Sequence, residues 1–171
     1  MFKVEEIGYE RIEELLAILI ERAIWLESKD IKMWEVSKLT KEEIISRYRS
    51  PKVFLGIDSD VVGGFLLSEI DTNYWMESIS DNAFYLHKFA VRKEFGGKGY
   101  SIKMLEWIKK YGREMGKDFI RLDFVKDRDY VRRMYHEQGF IEIEEMTSEI
   151  GLALVKAEYR IGREGESSAI E

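Results

Sequence analysis

The chain contains no cysteine. That excludes disulfides, thiolate metal sites and a cysteine nucleophile. Histidine is nearly as scarce: His87 and His136 are the only two, too few for a multi-histidine zinc centre. Proline occurs once, as Pro51. No apolar run approaches the roughly 20 residues that span a bilayer, and the first residues lack the basic-then-apolar layout of a signal peptide. There is no basic stripe. The net charge is -6, which argues against a nucleic-acid partner and fits a cationic small substrate. A soluble, cytoplasmic protein with no membrane partner is expected, as a monomer or a homodimer.

What is present is ample apolar and charged material. Of 171 residues, 45% are hydrophobic and 35% charged, enough for one domain with a sizeable core and a well-solvated surface. There is no internal repeat. Residues 2–7 read as a strand. Over residues 10–27, Ile12, Leu15, Leu16, Leu19, Ala23 and Leu26 fall on one helical face. Thr40, with Glu43 three residues on, forms a capping box for a short helix to about Tyr48. Pro51 ends it.

Strands are expected over residues 53–57, 61–70 and 83–91, with Asp58-Ser59-Asp60 as a turn and a polar, aromatic loop over 71–82. An amphipathic helix follows, with Met104, Leu105, Ile108, Tyr111, Gly112 and Met115 on its apolar face and Gly116 as its stop. Residues 119–125 are a strand, 129–138 a short helix, and 140–146 with 152–161 a final antiparallel pair. The order β-α-α-β-β-β-α-β-α-β-β predicts an α/β domain over residues 1–161, with a mixed sheet and helices on both faces. Residues 162–171 form a small, polar tail.

Between the strand ending at Val91 and the amphipathic helix lies Gly96-Gly97-Lys98-Gly99. A helix N-terminus carries unpaired N–H groups and partial positive charge. Glycines let that backbone approach an anion closely, and Lys98, with Arg92 nearby, adds charge. The turn is a candidate pyrophosphate cradle; an ordinary strand-to-helix turn is the alternative. Neither G-x-x-x-x-G-K-[ST] nor G-x-G-x-x-G is present.

The stretch from Leu86-His87-Lys88-Phe89-Ala90-Val91-Arg92 through Gly96-Gly97-Lys98-Gly99-Tyr100-Ser101 resembles motif A of the GNAT superfamily of N-acetyltransferases. Gly97 and Gly99 match its glycines and Ser101 its following small residue. Gly96 stands where Arg or Gln is usual, so anion binding should rest more on backbone amides. Leu122-Asp123-Phe124, Arg128, Val131, Tyr135 and Gly139-Phe140 resemble the family's second motif, L-D-x…N-x-x-[AL]-x-x-x-Y-x-x-x-G-F, with Arg128 in place of the usual Asn. Trp25-Leu26…Trp34 resembles an N-terminal segment of bacterial members. The resemblance covers about residues 2–161.

This resemblance implies a mostly antiparallel central sheet whose strand 83–91 splays from its neighbour. Acetyl-CoA would be the co-substrate. Its pantetheine would pair with the backbone of Phe89, Ala90 and Val91, and its phosphates would meet Gly96 to Ser101 and Arg128. An amine would attack the thioester directly, which agrees with the absence of cysteine. Tyr135 matches a tyrosine near the CoA sulfur and is the candidate acid; a core tyrosine is the alternative.

His87 is the candidate base. Period-2 alternation places it on one face with Tyr85 and Phe89; the resemblance to arylalkylamine acetyltransferases, where a histidine at this strand position serves a proton relay, implies the role, which an ordinary pKa near 6.5 suits. A histidine bonded within the sheet is the alternative. Some members carry a carboxylate where this chain has Tyr85, and Glu69 could serve through a water. Trp34, Tyr74 and Trp75 lie in loops that would border the acceptor site or serve as aromatic anchors, and Glu69 and Tyr85 would join Trp34 and Trp75 in binding the acceptor. His136 receives no role. The expected activity is N-acetylation of a small-molecule amine; alternatives are acetylation of a protein lysine or N-terminus, and a non-catalytic acyl-CoA-binding module.

Overall fold

The computed structural model describes residues 1–162; all of the expected polar tail except Gly162 lies outside them. The elements are β1 (Lys3–Ile7), α1 (Ile12–Ser28), α2 (Lys41–Arg47), β2 (Lys52–Asp58), β3 (Asp60–Ser68), β4 (Ala83–Val91), α3 (Tyr100–Glu114), β5 (Phe119–Val125), α4 (Asp129–Glu137), β6 (Ile141–Thr147) and β7 (Ala153–Arg160). The seven strands form one sheet in the order β1-β2-β3-β4-β5-β7-β6. Among the described residues only the central β4–β5 pair is parallel, and α3 supplies its crossover. The expected mixed, mostly antiparallel sheet with flanking helices is the fold observed.

Alternation along each strand assigns the two faces. Phe54, Phe65, Leu67, Phe84, Leu86, Ile120, Leu122 and Phe124 pack under α3 with Met104, Leu105 and Ile108. Leu55, Leu66 and Ala90 point the other way, against Leu15, Leu16 and Leu19 of α1 and Ile44 of α2. Thr40 Oγ1 accepts from the Glu43 amide at 3.3 Å, capping α2 as its sequence predicts.

Two irregularities shape the centre of the sheet. Leu66 pairs with His87 but Gly64 pairs with Ala90, so two residues of β4, Lys88 and Phe89, stand against Phe65 alone. This is a β-bulge, and Lys88 takes a positive φ of 52° within it. Gly63 permits a close approach beside it: a Cβ there would lie 2.4 Å from the Ala90 carbonyl oxygen. The second irregularity is that β4 and β5 pair only from Ala83↔Phe119 to Tyr85↔Arg121. Beyond Tyr85 the strands part, leaving the β5-side edge of residues 86–91 without a partner strand.

Candidate active site

The glycine turn opens on space. Gly97 and Gly99 have φ of 74° and 80°, and a Cβ on either would meet nothing within 4 Å. Gly99 is the N-cap of α3, and no side chain among the described residues caps the helix. Its first-turn amides are therefore free to face an anion. Gly96 is extended. Lys98 is exposed, its Nζ 5.6 Å from the Phe95 ring centroid.

Neighbouring side chains are occupied elsewhere. The Tyr100 hydroxyl donates to Asp58 Oδ2 at 2.7 Å, so Tyr100 offers the loop only its backbone. Ser101 follows in the same turn. Arg92 donates to the Val61 carbonyl at 2.9 Å and pairs with Asp60 and Glu94, so it is not free to add charge. Arg128, just before α4, is different. It is half-buried with Nη1 3.3 Å from Met33 Sδ, and it lies close enough to the half-buried Arg22 to repel it. Neither guanidinium has an ion pair among the described residues, an arrangement that suits an anionic ligand.

A recess of about 160 Å³ opens on the opposite face from α3. Its walls come from the Met33–Leu39 segment, from α2, from β5 (Asp123 to Val125) and from the β6–β7 turn (Ser148 to Leu152), with Lys88 reaching in from the bulge. Arg47 closes one side by pairing with Glu149 at 3.1 Å, and the Tyr74 hydroxyl donates to the same carboxylate at 3.0 Å. Trp34 lines the recess.

Three other residues assigned to the acceptor do not reach it. Trp75 is buried in a separate cluster with Ala83 and Tyr85, beneath Lys156 Nζ at 4.4 Å and the Arg121 guanidinium at 4.9 Å. The Tyr85 hydroxyl accepts from Arg121 at 3.2 Å. Glu69 is bound to Lys117 at 2.7 Å, drawn toward the C-terminal end of α3.

The bulge also corrects the alternation drawn through β4. One extra residue at Lys88 shifts the period, so Phe89 and Val91 join the α3 side while Tyr85 and His87 face the other. His87 is not open to the recess. Its ring stacks on Tyr48 at 4.3 Å, and Nε2 lies 3.5 Å from Asp71 Oδ2, with side chains 8% and 0% exposed. Burial pushes its pKa well below the ordinary 6.5, so the ring is neutral at pH 7.

Asp123, unlike His87, faces the recess, and burial together with the nearby Asp71 raises its pKa to about 7. A carboxyl with that value is suited to accept a proton near neutrality. The available signal was strand parity: Ile120, Leu122 and Phe124 serve the core, so Arg121, Asp123 and Val125 face the other way. Tyr135 is buried, its ring 5.5 Å from those of Phe124 and Phe140. Burial and the Asp123 charge raise its pKa above 10.0, which keeps its phenol protonated.

Residues 13–140 match the Acetyltransferase (GNAT) family, three-quarters of the chain. The chain belongs to the GNAT acetyltransferase family. An uncharacterized N-acetyltransferase, YesJ of Bacillus subtilis (strain 168), is 27% identical over 141 residues, 77% of each protein. A GNAT-family acetyltransferase of Listeria monocytogenes 4b F2365 shares the fold with a TM-score of 0.73 and 20% identity, covering 93% of this chain and 94% of that one. The structure of yncA from Salmonella typhimurium with its cofactor acetyl-CoA has a TM-score of 0.68 and 14% identity, covering 99% of both chains. The protein is thus an acyltransferase of the N-acetyltransferase type, and the family's co-substrate is acetyl-CoA. The open glycine turn, the uncapped start of α3 and the unpaired edge of β4 are features that fit it.

Proposed function

We propose that this enzyme transfers an acetyl group from acetyl-CoA to the primary amine of a small molecule, by direct attack and without a covalent enzyme intermediate. Bound acetyl-CoA supplies the activated acetyl thioester. The backbone of Gly97 to Ser101 holds its phosphates, with Lys98 and Arg128 adding charge, and the free edge of Phe89, Ala90 and Val91 pairs with its amides. The acceptor occupies the recess, against Trp34. Asp123 removes the proton that the amine must lose, and the Tyr135 phenol donates one to the departing thiolate. An enzyme that consumes acetyl-CoA is placed in the cytoplasm.

The observation that carries this reading is Asp123: a carboxyl with its pKa raised to about 7 on the wall of a recess beside the point where β4 and β5 part. The small-molecule preference rests on enclosure. Four segments wall the recess, and the Arg47–Glu149 ion pair closes it on one side, where a peptide would need a continuous groove. The test is thiol release from acetyl-CoA against parallel panels of small amines and of peptides. Turnover confined to peptides would reject the small-molecule acceptor, and acetyl-CoA binding without turnover on either panel would reject catalysis.

A further inference from the structure

The cations that line the acceptor recess are not equally committed. Lys38 pairs with Glu35 at 3.7 Å, and Arg47 with Glu149 at 3.1 Å. Lys88 has neither an ion pair nor a hydrogen bond among the described residues. Its ammonium instead lies 5.1 Å from the Trp34 ring centroid and 5.9 Å from that of Tyr48. The bulge puts it there: at φ 52°, Lys88 occupies the extra position that sends its side chain into the recess rather than under α3. A non-glycine residue at positive φ carries a backbone cost, and an enclosed ammonium without an anion carries a desolvation cost. The bulge accounts for the first; the second is met by no anion among the described residues.

Asp123 is the complement. It too has no hydrogen bond or ion pair among the described residues, yet Lys88 and Asp123 influence each other's charge across the recess. Glu35 and Glu149, the acids bound to the other two cations, are satisfied. Among the described residues, two carboxyls of the recess, Asp123 and the exposed Glu43, and one ammonium, Lys88, have no partner; Asp123 is the enclosed carboxyl, with apolar surface from Leu39, Ile44 and Leu152 beside it.

We infer that the acceptor is an amino-carboxylate, such as a free α-amino acid with an apolar side chain, whose amine meets Asp123 and whose carboxylate pairs with Lys88. This rests on the recess being the acceptor site. A carboxylate supplies the anion that Lys88 lacks, and the Trp34 and Tyr48 faces hold the ammonium in place until it arrives. Burial brings the Lys88 pKa down to about 8, so the ammonium is still mainly charged at neutral pH.

The test uses matched pairs that differ only by the carboxylate: L-leucine with 3-methylbutylamine, L-phenylalanine with 2-phenylethylamine, and L-methionine with 3-(methylsulfanyl)propylamine. The α-amino group of each amino acid is a weaker base than its plain amine, so kcat/KM is referred to the neutral amine, and the change in the ratio between wild type and Lys88→Met reads carboxylate recognition. A preference of about tenfold or more for the amino acid is expected, the value of one charge-assisted pair. Lys88→Met should bring the ratio close to one, and Lys88→Arg should retain it. Because the ratio is internal to each variant, a loss of folded protein does not imitate the result. Equal or faster turnover of the plain amine, or a ratio that survives in Lys88→Met, overturns the inference while leaving the recess as acceptor site. Acetyl-CoA binding with no turnover of either member of any pair also overturns the inference, while the wider amine and peptide panels decide separately whether the recess is the acceptor site.

Discussion

Asp123 holds its proton about three pH units longer than an ordinary aspartate because it is enclosed and stands near Asp71. As the proposed base it must be ionised before the amine can attack, so turnover should rise with pH through about 7. Asp123→Asn removes that ionisation. We expect kcat to fall by about 10²–10⁴ and the acidic limb of the pH–rate profile to disappear; an intact limb in the variant would assign the base elsewhere. Tyr135→Phe keeps the ring between Phe124 and Phe140 and deletes only the phenol oxygen. Turnover at saturation should drop while the dissociation constant for acetyl-CoA stays nearly constant, and unchanged turnover would remove Tyr135 from the chemistry.

The glycine turn makes a separate residue-scale prediction. Lys98→Ala should weaken acetyl-CoA binding at low salt, with the difference shrinking as salt screens the charge; equal affinities at low salt would leave the phosphates to the backbone alone. The resemblance in sequence pointed to Tyr135 and the glycines because they sit in a motif with fixed spacing. It passed over Asp123, although the residue lies within the quoted Leu122-Asp123-Phe124, because the motif alone says nothing about which face of β5 it occupies.

At the scale of elements, the helices were legible because their signals are local. Thr40 caps α2 three residues before its amide partner, and the apolar face of α3 is complete in its own sequence. The bulge in β4 was not. It comes from a tertiary pairing, two residues of β4 against Phe65, and the alternation counted straight through Lys88 consequently placed Phe89 beside His87. The adjacent glycines Gly63 and Gly64 were the signal available, since glycine inside a strand marks a bulge or a close backbone approach. That leads to a contrast between two glycines. Gly63→Ala would set a Cβ 2.4 Å from the Ala90 carbonyl oxygen, so the strands must separate, at about 1–3 kcal/mol of stability. Gly97→Ala meets no atom within 4 Å and carries only the positive-φ cost of about 1–2 kcal/mol. Denaturant unfolding should show the larger loss for Gly63→Ala, while acetyl-CoA affinity should suffer for Gly97→Ala as well; the reverse order of stabilities would contradict the close β3–β4 approach.

At the scale of the whole molecule, the buried groups His87 and Asp123 pull the pH dependence of stability in opposite directions. His87 has a folded pKa of about 4 against 6.5 unfolded. Between those values the unfolded chain holds the proton and the folded one does not, so His87 makes stability rise with pH. Asp123 has a folded pKa of about 7 against 3.8 unfolded. There the folded protein holds the extra proton, so Asp123 makes stability fall as pH rises. Each slope is at most about 1.4 kcal/mol per pH unit for one proton, and they overlap from pH 4 to 6.5, where they offset each other. Asp123→Asn abolishes the falling contribution; Asp71 and His87, whose polar atoms lie within 4.8 Å of its carboxyl, are the titrations it can disturb. Measured by urea unfolding at pH 4.5, 5.5 and 6.5, the variant should gain on the wild type at each step, because titrations elsewhere in the molecule cancel in the difference. A His87→Asn variant should do the opposite and lose ground as pH rises. Two curves that run parallel to the wild type would mean that neither group is held in the protonation state its burial imposes, and Asp123 would then lack the raised pKa on which its role as base depends.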